Sequence, residues 1–247
     1  MTTILDGVSR ALFVHAHPDD ETLSTGALII HLREQGIECD LVTATRGEEG
    51  EVVPGPLSHL AGTADLHAHR ERELAGALEV LGVDRHVFLG TAPARAHGYG
   101  ERNYRDSGMQ WVAPGVAGPA DSSDETSLVA GQIAEEAADL AALVRAWQPD
   151  LLVSYDSHGG YGHPDHVRMH DVTLVVGRSE KLRVAEVRHE PGEGTEWFDR
   201  PDALPQVADA LRNHASQLTV QPNGTEVVHS GGQREAIVTA VGLAAEL

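Results

Sequence analysis

The sequence predicts an α/β protein built on a doubly wound, mostly parallel (Rossmann-like) sheet flanked by helices. Three observations carry this prediction. Short apolar runs alternate with longer amphipathic stretches along the chain, as parallel strands joined by helical crossovers require. Two segments rich in His and Asp each follow directly on an apolar run, where such sheets open a crevice. The length, 247 residues, suits one such unit, and no internal repeat or linker divides it. The expected organisation is therefore one domain over residues 1–247.

The elements follow in order. Ala11 to His15 reads as a buried strand. Thr22 to Gln35 has helical spacing, with Leu23, Ala27, Ile30 and Leu32 apolar and Gly36 as its stop. Cys39 to Thr45 is a second strand, His67 to Leu81 a helix closed by Gly82, and His86 to Leu89 a third strand. Ser127 to Trp147 reads as a long helix that ends before Pro149. Leu151 to Tyr155 is a fourth strand, His166 to Val176 a helix, Val184 to His189 a short strand and Leu204 to Leu218 a last helix. Residues 91–125 and 191–205, rich in Gly and Pro, are expected to be long loops of the kind that form lids or binding loops.

Composition limits the partners. With 38 acidic and 18 basic residues the formal net charge is −20, which repels a phosphate backbone, so no nucleic-acid partner is expected. No apolar run reaches the ~20 residues of a membrane span, and the N-terminus lacks the pattern of a secretory signal. Cys39 is the single cysteine, so no internal disulfide forms. Together these fit a cytoplasmic protein. The oligomeric state is not encoded in any of these features.

The chemistry concentrates in two places. His17-Pro18-Asp19-Asp20-Glu21 stands at the carboxyl end of the first strand. The plainer alternative is that Asp19 or Asp20 only caps the following helix. Gly159 to His166 (GGYGHPDH) stands after the fourth strand, with the alternative that it is a glycine turn bearing two exposed histidines. In a parallel sheet the two segments face one edge. His17, Asp20 and His166 then offer two imidazoles and a carboxylate, the three-ligand pattern of a catalytic zinc site, and the same set can hold Fe2+. Asp156 and Asp165 are candidates to orient the imidazoles.

The two segments, Ala16 to Glu21 and His163 to His166, resemble the signatures of the LmbE-like (PIG-L) N-deacetylases. Further pieces extend the likeness: Leu12 to Glu21, Gly47 to Val52, Arg70 with Glu73 and Leu74, Arg105 to Met109, Gly159 to Val167, and Ala210 to Gln217. The resemblance is strongest to the branch of the family that acts in mycothiol biosynthesis. It implies a metal-dependent hydrolase that removes the N-acetyl group of a small-molecule aminosugar, N-acetylglucosaminyl-inositol being the expected substrate. By that resemblance His17, Asp20 and His166 match the ligands of a zinc ion and Asp19 the general base. His163 matches the residue that stabilises the transition state or protonates the amine, and Tyr161 a mobile tyrosine near the oxyanion. Arg70 and Asp106 match substrate-hydroxyl contacts, and Met109 and Glu51 pocket-lining positions. Cleavage of mycothiol S-conjugates is the nearest alternative. The conjugate amidases carry a lysine shortly after H-P-D-D-E, where this chain has Thr22 to Gly26, which favours the deacetylase. Other acetylated sugars or secondary metabolites are a further alternative, and a non-enzymatic small-molecule-binding domain is the most distant.

Overall fold

The computed structural model describes residues 3–113 and 116–246. Its centre is a seven-stranded sheet. In chain order the first strands are β1 (Arg10–His15), β2 (Glu38–Thr43) and β3 (Arg85–Phe88). A peripheral hairpin, β4 (Gln110–Ala113) and β5 (Val116–Gly118), precedes β6 (Leu151–Ser154), β7 (Arg183–Arg188) and β8 (Thr195–Asp199). Then come β9 (Leu218–Val220), β10 (Glu226–His229), β11 (Arg234–Ala236) and β12 (Ala240–Glu246). The helices are α1 (Asp20–Glu34), α2 (Asp65–Leu81), α3 (Ile133–Trp147), the single turn α4 (Gly159–Gly162), α5 (Pro164–Glu180) and α6 (Leu204–Leu211).

The sheet order is β3-β2-β1-β6-β7-β12-β8. The first five strands pair in parallel, and β12 joins β7 and β8 antiparallel. From β1 the chain winds outward through β2 and β3. It then returns to place β6 on the other side of β1 and winds outward again through β7. The strand order thus reverses between β1 and β6, the place where such sheets bind ligands.

Alternation along the strands builds two cores. Ala11, Phe13, Cys39, Leu41, Leu151 and Val153 face one side and pack with α1, α2 and α6. Leu12, Val14, Val42 and Leu152 face the other side and pack with α3 and α5. Strands covered on both faces lack a polar side, which is why they read as continuous apolar runs in the sequence.

Several expectations need correction. The helix expected from Ser127 begins at Ile133. Gly131 and Gln132 are extended, and Leu128–Ala130 forms a separate 3₁₀ turn. The last helix stops at Leu211 rather than Leu218, because its continuation is taken up by side-chain bonds. His214 pairs with Glu21 at 3.0 Å, and Ser216 donates to Glu73 at 2.6 Å. The two stretches expected as loops also hold strands, β4 and β5 in the first and β8 in the second. No helix among the described residues is long and apolar enough to cross a membrane.

Candidate metal centre

Two turns, one after β1 and one after β6, bring the candidate residues together at the reversal point of the sheet. In the first, the His17 N–H donates to Asp20 Oδ2 at 2.8 Å, and α1 begins at Asp20. Asp19 occupies the N-cap position with φ 121°, a conformation that strains any residue with a side chain. Its carboxylate makes no capping bond. The helix-cap alternative is therefore not what Asp19 does. Its side chain is left to face the cavity.

In the second turn, His163 is the N-cap of α5 and Pro164 follows at the first helical position. His163 Nδ1 accepts from the Asp165 N–H at 3.2 Å. A neutral His163 therefore carries its proton on Nε2. His166 lies one turn along, and its Nδ1 faces the Gly159 carbonyl at 3.1 Å. Gly159 has φ +63°, and a Cβ there would come within 2.7 Å of His166 Cβ, so only glycine brings that carbonyl to the ring. His163 and His166 are 7% and 2% exposed, which excludes the alternative of a glycine turn with two surface histidines.

His17 Nδ1 stands 3.1 Å from His166 Nε2 and 3.3 Å from Asp20 Oδ2, and His166 Nε2 stands 3.3 Å from Asp20 Oδ1. Donors ~2.0–2.1 Å from one tetrahedral ion are about 3.3 Å apart, so these spacings fit a zinc-sized ion. These residues have further partners. His17 Nε2 lies 3.2 Å from Asp165 Oδ2, and Asp20 Oδ2 accepts from the Tyr155 hydroxyl at 2.7 Å. Of the two carboxylates expected to orient the imidazoles, Asp165 does so. Asp156 instead accepts the N–H groups of His158 and Gly160, and the Gly159 carbonyl stands beside the ring of His166. His163 also lies within ligand distance of His17 and His166. With Nδ1 engaged and the proton on Nε2, it presents a donor rather than a lone pair.

The charge balance agrees. Asp20, Asp106 and Asp165 crowd around these imidazoles in buried positions, with the half-buried Asp19 beside them. Burial and the neighbouring Asp20 push the Asp19 carboxyl up to about 7. Burial opposes ionisation of Asp20, yet His166 and His17 hold it well below the usual carboxylate range. Burial also opposes a charge on His17, and Asp106, Asp165 and Asp20 outweigh it and raise its pKa. His163 is pushed down to about 3 by burial and by His17 and His166, so it is neutral. Several buried carboxylates around a few imidazoles form a site that a divalent cation would neutralise.

A cavity of about 700 Å³ opens over this centre, within the ~300–1,000 Å³ range of small-molecule sites. His17, Asp19, Asp20, Arg70, Asp106, Tyr161, His163 and His166 all line it. Tyr161 is 61% exposed, with its ring edge-on to His166 at 5.1 Å between centroids. Arg70 is 1% exposed and spends its guanidinium on the Gly47, Gly50 and Glu51 carbonyls and on Ser216. Asp106 Oδ1 lies 3.5 Å from His17 Nε2. Met109 is half-buried in the same segment, and Glu51 is exposed and accepts from the Ser230 hydroxyl; neither lines the cavity.

Sequence reasoning missed Tyr155, whose hydroxyl both donates to Asp20 and accepts the Ala16 N–H at 2.7 Å. A tyrosine at the end of a buried strand needs a partner for its hydroxyl, and that was the available signal. It also missed the cavity wall from the C-terminal third: His189, His229, Gln233 and Glu235.

The model of the GlcNAc-PI de-N-acetylase family, PIG-L, matches residues 12–176. The chain belongs to this family. A protein of Kineococcus radiotolerans named 1D-myo-inositol 2-acetamido-2-deoxy-alpha-D-glucopyranoside deacetylase is 51% identical, over 96% of this chain and 68% of its own length. A protein of the same name from Actinosynnema mirum is 36% identical, over 87% of this chain and 83% of its own. Among solved structures, the N,N'-diacetylchitobiose deacetylase of Pyrococcus horikoshii shares the fold with a TM-score of 0.60 at 22% identity, covering 86% of this chain and 72% of that one.

Proposed function

We propose that this protein is a zinc-dependent deacetylase that hydrolyses the acetamide of N-acetylglucosaminyl-inositol. One observation carries the reaction type: His17, His166 and the two oxygens of Asp20 place donor atoms 3.1 to 3.3 Å apart, with the carboxylate of Asp19 beside them in the cavity. The substrate follows from the names of its relatives, above all the 51% identical one.

His17, Asp20 and His166 would hold the ion. A divalent cation there supplies Lewis acidity to the amide carbonyl and to the attacking water. The protein's own groups do the rest. Asp19 accepts a proton as the water oxygen bonds to the carbonyl carbon. The neutral His163 donates its Nε2–H to the oxygen that gains negative charge, and the exposed Tyr161, which lines the same cavity, has a hydroxyl that can donate to the same atom. When the C–N bond breaks, Asp19 returns its proton to the leaving nitrogen, giving free amine and acetate. A neutral His163 fits hydrogen-bond donation better than full proton transfer, so the carboxylate serves both as base and as acid. Asp106 and Arg70 border the cavity where sugar hydroxyls would lie. Met109 and Glu51 would act from behind that wall.

The test is amine and acetate release by the metal-free protein reloaded with zinc or, anaerobically, with Fe2+. The substrates are N-acetylglucosaminyl-inositol and a mycothiol S-conjugate. Zinc-restored turnover of the inositol glycoside is expected. Turnover of the conjugate alone would replace the substrate, and restoration by iron alone would replace the metal.

A further inference from the structure

The mechanism uses one end of the cavity. The same cavity is lined by His229, Gln233 and Glu235 of the β10–β11 hairpin, which lies beyond the residues matched by the family model. This hairpin is held in place. Its Ser230 hydroxyl donates to Glu51 at 2.9 Å, tying it to the loop whose Gly47 and Gly50 also line the cavity. His229 Nε2 pairs with Glu235 Oε2 at 3.0 Å, and the Glu235 side chain stays 55% exposed, with acceptor capacity to spare. The Gln233 amide has no hydrogen-bond partner among the described residues, so it offers both a donor and an acceptor. A wall of this kind matches vicinal hydroxyls.

Its charge is equally specific. The carboxylates lining the cavity are Asp19, Asp20, Asp106 and Glu235. Arg70 is the one Lys or Arg side chain among the described lining residues, and its guanidinium is already committed to backbone carbonyls. His229, the imidazole of this wall that Glu235 favours in its charged form, is already paired with that carboxylate. A phosphoryl group would therefore meet carboxylates and cations that already have partners.

We propose that His229, Gln233 and Glu235 form the subsite for the group glycosidically attached to the aminosugar, and that this subsite takes a neutral polyol in preference to a phosphorylated one. The proposal rests on the deacetylase reading above. It is tested by kcat/KM of the zinc-loaded protein for three N-acetylglucosaminides: the inositol glycoside, the same glycoside phosphorylated on inositol, and the methyl glycoside. The unaltered protein is expected to favour the neutral inositol glycoside over both others. Gln233→Ala should lower the inositol-to-methyl ratio about tenfold, the scale of a lost hydrogen bond to a hydroxyl. Glu235→Gln should raise the phosphorylated-to-neutral ratio several-fold. A ratio that stays at its unaltered value, in a variant with unchanged melting temperature, overturns the role of that residue. Preference of the unaltered protein for the phosphorylated or methyl glycoside overturns the subsite and leaves the deacetylase standing. Turnover of none of the three overturns the deacetylase reading itself.

Discussion

The two nitrogens of His17 face different partners: Nε2 lies 3.2 Å from Asp165 Oδ2, and Nδ1 lies 3.1 Å from His166 Nε2. Asp165 also accepts the Ser107 N–H at 2.9 Å, so its carboxylate is fixed before it fixes the ring. Asp165→Asn is expected to weaken metal binding by roughly 10–100-fold, the usual cost of losing a carboxylate behind a ligating imidazole. Competition with a chromophoric chelator measures it. Unchanged affinity would mean that Asp165 does not set the orientation of His17.

Asp19 stands next to a proposed ligand without being one. Asp19→Asn should keep one metal per chain and lower kcat by about 10²–10⁴-fold, the range for a positioned acid–base group. Metal content and turnover on the same preparation decide this. Full turnover with metal in place would assign the proton transfer elsewhere.

Arg70 is buried, and its loss would strand the carbonyls of Gly47, Gly50 and Glu51. Arg70→Ala is expected to destabilise the fold by about 3 kcal/mol, and not merely to raise KM. Urea unfolding checks it. A variant of native stability with a raised KM alone would make Arg70 purely a substrate contact.

Glu136 is fully buried, and burial pushes its carboxyl up to about 7 despite Arg168 and Arg102. Its Oε1 has no hydrogen-bond partner among the described residues. The folded protein thus holds this proton more tightly than the unfolded chain does. The resulting stabilisation is complete below the ordinary glutamate pKa of about 4.5 and is lost as pH rises through about 7. Glu136→Gln, which cannot ionise, should therefore gain stability relative to the unaltered protein between pH 5 and 8, by roughly 1–3 kcal/mol. Parallel pH series of denaturant unfolding test it, and a pH-independent difference would count against a raised Glu136.

The parallel half of the sheet was legible because β1, β2 and β6 are covered on both faces, so Ala11–Val14, Leu41–Val42 and Leu151–Val153 are apolar on both sides of the strand. The antiparallel additions were not. β8 and the β9–β10–β11 sheet are short and half-exposed, and the strand pairing that defines β12 lies far away in sequence. The residues converging on the centre were legible from their place after two strands. From the residues alone the use of Asp19 stayed open, because a capping carboxylate and a free one look alike at a helix start; the resemblance named it as the base, and the absent capping bond separates the two readings. The far wall of the cavity was invisible because His229, Gln233 and Glu235 come from the polar C-terminal hairpin.

The backbone at Asp19 stands at φ 121°, where any residue with a Cβ costs about 1–3 kcal/mol and glycine costs little. Position 19 therefore sets endurance against turnover. Selection for heat tolerance alone would favour Asp19→Gly, and on the proposed role of Asp19 the hardier protein would be a silent one.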